Sequence, residues 1–174
     1  PYRRQRQMCI RDSFTFKDAN PSQQEMIDLI DKSLEEGALG VKLLGGHYPL
    51  EPEVSSLLIR TALERRAYVA WHAGTTKNGS NINGMIEAVK MADGYPMHLA
   101  HINAYCRGTI KDAMEETAIA IDLLKANPNI FCESYVSPKN GTRLTCDKDG
   151  KIQSKVTGNC LRAFGFTEDK DGVR

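Results

Sequence analysis

The sequence predicts an α/β fold: part of a (β/α)8 TIM-type barrel carrying about four central βα units. Three observations lead there. Short apolar runs alternate with amphipathic stretches of helical period. Lys42, His72 and His101 interrupt or close three successive apolar runs, 30 and 29 residues apart, about one βα unit each. No GxGxxG or GxxxxGK(S/T) loop follows a strand, which argues against a doubly wound sheet and for a barrel.

Pro21-Ser22 opens the first predicted helix, whose apolar residues Met26, Ile27, Leu29, Ile30 and Leu34 recur at near-helical spacing, and Gly37 ends it. Residues 38–44 are apolar and bounded by Gly45-Gly46, as suits a buried parallel strand, with Lys42 out of place by composition. Residues 53–66 put Val54, Leu57, Leu58, Ala62 and Leu63 on one helical face, and 67–71 form a second strand ending in His72. Helix 82–92, the turn Asp93-Gly94-Tyr95-Pro96 and strand 97–102, ending at His101, repeat the unit. A helix over 109–126 and a strand over 129–135 follow. From Pro138 the pattern dissolves, and the Asp149-Gly150 turn between Leu144-Thr145-Cys146 and Lys151-Ile152-Gln153 predicts a small hairpin on the barrel rim.

The expected organisation is therefore βα units over 14–137 and a truncated rim excursion over 138–174. Met8-Cys9-Ile10-Arg11-Asp12-Ser13 matches the translation of a transposon end used in DNA library preparation. Together with Arg3-Arg4-Gln5-Arg6-Gln7 it makes residues 1–13 a sequencing artefact or a disordered basic tail, excluded from fold reasoning. The expectation is a fragment cut at both ends.

Composition narrows the function. With 23 basic and 22 acidic residues and a net charge of +1, nothing electrostatic points to nucleic acid or an anionic membrane, and a small-molecule ligand is expected. No run approaches the roughly 20 apolar residues of a membrane span, and no secretory signal is present, so a cytoplasmic location is expected. The 5 cysteines form no CxxC pair and are expected to be reduced. Asn78-Gly79-Ser80 and Asn140-Gly141-Thr142 match the glycosylation acceptor pattern, which in a cytoplasmic chain is without consequence. Oligomeric state is not legible.

A lysine enclosed by an apolar strand must find a charge partner, lose its proton or be modified, although most lysines reach the surface. His72 and His101 end strands at the face where barrel enzymes place their chemistry. Alone, each reads as a structural histidine. Together with Lys42 at matching depth they form a set of ligand type. His98 and His101 are separated by an odd number of residues, so on one strand they face opposite sides; His101 is chosen as the ligand and His98 as helix-facing. His47 and Tyr48, just past the lysine strand, together with Asn103, Arg107 and Glu133, are candidate substrate contacts, Arg107 for a carboxylate. Cys106 is expected to be an idle thiol.

Gly37-Ala38-Leu39-Gly40-Val41-Lys42, Trp71-His72-Ala73-Gly74 and His98-Leu99-Ala100-His101-Ile102-Asn103 resemble the central strands of the metal-dependent amidohydrolase superfamily, that is dihydroorotases, hydantoinases and D-aminoacylases. The resemblance implies hydrolysis of a C–N bond in a cyclic amide or N-acyl amino acid by metal-bound hydroxide. It implies Lys42 as a carboxylated lysine bridging two divalent ions, zinc foremost, and His72 and His101 as ligands of one of them. The family's HxH pair and late-strand aspartate are absent, as a central fragment would lack them, and Gly45-Gly46-His47-Tyr48-Pro49 departs from the hydantoinases. Two other readings stand beside it: a Schiff-base aldolase or lyase using Lys42, and a non-catalytic fragment with open sheet edges.

Overall fold

The computed structural model describes residues 20–46, 48–134, 148, 168–169 and 172–173, in two units, 1–134 and 135–174. In the first unit the order is α1 (Gln23–Glu35), β1 (Gly40–Leu44), α2 (Pro52–Glu64), β2 (Tyr68–His72), α3 (Ile82–Ala92), β3 (Met97–Leu99), a 3-10 turn (Ile102–Ala104), α4 (Ala113–Ala126) and β4 (Ile130–Cys132). The second holds β5 (Glu168–Asp169) antiparallel to β6 (Gly172–Val173).

Local chemistry sets the helix ends. At α1, Glu25 N–H donates to Ser22 Oγ at 3.3 Å and Ser22 N–H donates to Glu25 Oε2 at 2.8 Å, a reciprocal cap contributing about 1 kcal/mol. Gly37, at φ 87°, takes the left-handed position that ends the helix, as the sequence predicts. Asn81 accepts the N–H groups of Asn83 and Gly84 to start α3. Asp112 does the same for α4 through Met114 N–H, so α4 begins four residues later than the periodicity predicts.

The four strands are parallel and lie in the order β1-β2-β3-β4, the order of the chain. Right-handed crossovers between sequential neighbours put every connecting helix on the same face. That face is the core. Leu43, Val69, Trp71, Met97 and Leu99 are buried there with Ile30, Leu58, Ile59, Met85 and Ala88 of the helices. An α/β sheet of βα units is therefore present, wound in one direction over these strands. The Asp149-Gly150 hairpin predicted from sequence lies outside the described residues. No helix among the described residues is long and apolar enough to cross a membrane.

Candidate functional site

Strand register determines which side chains share the face opposite the helices. Lys42 pairs with Ala70, Ala70 with His98, and His98 with Phe131, so these four form one row across the sheet. The next row, Leu43, Trp71, Leu99 and Cys132, has its first three members buried on the helix side. His72 lies two residues beyond Ala70 and returns to the Lys42 face. The enclosed lysine expected from sequence is thereby revised. The core lies behind β1, and Lys42 is half-buried on the other face. Among the described residues it has no ion-pair partner.

The reading of His98 is also corrected. It was expected to face the helices, but Met97 and Leu99 take that side and His98 shares the row of Lys42. The error lay in His101, which was expected within strand 97–102. β3 stops at Leu99, and His101 adopts φ 50°, ψ 62°, capping the 3-10 turn, where Ala104 N–H donates to its carbonyl at 2.6 Å. A left-handed residue breaks the period of two, so parity no longer separates the two histidines.

His72 stands in a built setting. Its ring meets that of His101 edge to face, with centroids 5.2 Å apart and planes at 76°. The Tyr105 ring lies 5.9 Å away at 88°. Nε2 is 2.8 Å from Ser80 Oγ, a hydrogen bond whose direction depends on the tautomer. The loop after β1 crosses so close that a Cβ on Gly46 would fall 2.4 Å from this nitrogen. Any side chain there would have to displace the His72 ring, so the constraint comes from approach and not from dihedral.

Tyr105 braces this corner from behind. Its hydroxyl accepts Ala73 N–H at 2.8 Å and donates to the Ala100 carbonyl at 2.6 Å, linking the ends of β2 and β3. Burial pushes its ionisation well above the usual phenol range. Glu133, just past β4, accepts His101 N–H at 2.8 Å and lies 3.0 Å from His101 Nδ1, while His98 Nε2 is 3.9 Å from the same oxygen.

The remaining candidates are dispersed. His47 lies outside the described residues. Tyr48 is 40% exposed, with its N–H closing a turn onto Leu44. Asn103 sits half-buried in the 3-10 turn and Arg107 half-buried in the loop that follows. Cys106 is half-buried, and burial pushes its thiol pKa up, which keeps it protonated, as befits an idle thiol. Glu116, fully buried, anchors the loop before α4 by accepting Gly108 and Ile110 N–H at 2.8 Å each and Lys111 N–H at 3.1 Å.

Comparison with protein-family models, curated proteins and solved structures finds no match to this chain. The site is argued from its geometry. Among the described residues, no group of three or more His, Cys, Asp or Glu is gathered to hold a metal ion. The His72–His101 pair is the part that could contribute ligands to one, imidazole being a common zinc donor. Sequence reasoning missed Ser80, Tyr105 and Gly46. Ser80 was visible only as part of an acceptor pattern, and Tyr105 sits in a loop without period, so neither carried a local signal.

Proposed function

We propose that this chain forms the central part of a TIM-type barrel hydrolase that cleaves a C–N amide bond with the help of one or two divalent ions. The observation that carries the reading is the meeting of His72 and His101 at one end of the sheet, 5.2 Å apart, on the face shared by Lys42. The chain-order sheet, with helices on one face, supports the barrel. The likeness of the three strand motifs to amidohydrolases supports the reaction.

His72 and His101 would hold the ion, zinc being suited to imidazole, and Lys42 would join them as a carbamate. That modification turns a half-buried cation into an anionic oxygen donor. The ion, when bound, lowers the pKa of water and polarises a carbonyl. The chain's own residues orient the ligands: Ser80 and Tyr105 hold the His72 ring and Glu133 holds His101. Arg107, Asn103 and Tyr48, with His47, are the polar groups from which a contact to a cyclic amide or an N-acyl carboxylate would be drawn. The substrate is a small molecule.

Activity of the complete barrel protein, of which this chain is the proposed central part, against a panel of cyclic amides and N-acyl amino acids, with and without added zinc, tests the reading. Metal-dependent turnover that is lost in Lys42→Ala supports it. Metal-independent turnover with borohydride trapping of substrate on Lys42 would replace it with Schiff-base chemistry.

A further inference from the structure

We infer that Glu133 is a positioning residue that fixes the tautomer of His101. A carboxylate accepts hydrogen bonds and cannot donate them. With Glu133 Oε1 3.0 Å from His101 Nδ1, the proton belongs on Nδ1, which leaves the ring lone pair on Nε2.

The grip is wider than one contact. The same oxygen accepts His101 N–H at 2.8 Å, and the Glu133 main-chain carbonyl accepts Ile102 N–H at 2.8 Å. One residue thus holds two consecutive amides and the ring between them, through the left-handed step at φ 50°. His98 Nε2, at 3.9 Å from Oε1, is too distant to compete for it by hydrogen bonding. A metal-ligating histidine commonly donates its second ring N–H to a carboxylate in this way, which fixes ring orientation and raises ligand basicity. Seen from the sequence, His101 is the end of a strand; in the structure it is a side chain aimed by a residue of the next strand unit.

The tautomer assignment stands on the 3.0 Å approach of Glu133 Oε1 to His101 Nδ1, whereas its effect on metal affinity rests on the functional reading above. Long-range proton–nitrogen correlation on the whole chain labelled with 15N-histidine, at a pH where His101 is neutral, reads the tautomer directly. The expected wild-type result is protonated Nδ1 and bare Nε2, with the population moving towards the Nε2–H form in Glu133→Ala. A proton on Nε2 in the wild type, or an unchanged tautomer in Glu133→Ala, would overturn the inference. The wild-type spectrum decides even where the variant folds poorly.

Zinc titration of the same samples is the second readout. Loss of an outer carboxylate partner is expected to weaken binding about 10- to 100-fold. A wild type with the expected tautomer but no zinc binding would support the inference about Glu133 and contradict the metal reading, so the two failures are distinct.

Discussion

His72 and His101, 29 residues apart in sequence, stand edge to face with ring centroids 5.2 Å apart. Neither strand alone produces this. β2 delivers His72 by the period of two, and a left-handed turn after β3 swings His101 towards it.

The approach of Gly46 to this pair predicts a coupled mutant pair. In Gly46→Ala the new Cβ meets the His72 ring, whose displacement is expected to strain its bond to Ser80. Gly46→Ala is expected to destabilise the chain by about 1–3 kcal/mol as an overpacking change, and to cost far less in a His72→Ala background. Urea unfolding of the four chains measures the coupling. Additive effects would mean that the loop does not touch the ring.

Tyr105→Phe removes one partner each from the Ala73 amide and the Ala100 carbonyl, both on buried residues. A buried polar group left unpaired costs about 1–3 kcal/mol, so a loss of about 2 kcal/mol or more is expected by urea unfolding. A loss under about 0.5 kcal/mol would exclude the bracing role.

How far this corner was legible in the sequence follows from the range of its interactions. The strands and helices were legible because apolar period is local, and Gly37 and Ser22 marked the ends of α1 correctly. The conformation of His101 was not, because it depends on Glu133 from beyond β4 and on the 3-10 turn, neither of which leaves a local pattern. Counting parity from the wrong residue then sent His98 to the wrong face. The start of α4 was misplaced for a similar reason: Glu116 folds back to take the amides of Gly108, Ile110 and Lys111, so residues that suit a helix are held in a loop.

Glu116 also predicts acid sensitivity. Burial by itself would push its pKa up, but the amides of Ile110, Lys111, Gly108 and Thr109 outweigh burial and hold the carboxyl below the usual carboxylate range. A group depressed in the folded state contributes stability that is fully present above its unfolded value and is lost as pH falls through the folded one. Stability is therefore expected to decline as pH drops from the ordinary glutamate range downward, with a shallower acid decline in Glu116→Gln. Thermal melts across that window measure it. Identical slopes for the two chains would contradict the assignment.

The central claim concerns a shared metal at His72 and His101, and calorimetric zinc titration of the whole chain against the His72→Ala/His101→Ala double variant tests it most directly. The account predicts saturable zinc binding by the wild type that disappears in the double variant while the fold, followed by circular dichroism, persists. Zinc binding of equal affinity and stoichiometry in both folded chains, or none in the wild type, would contradict it.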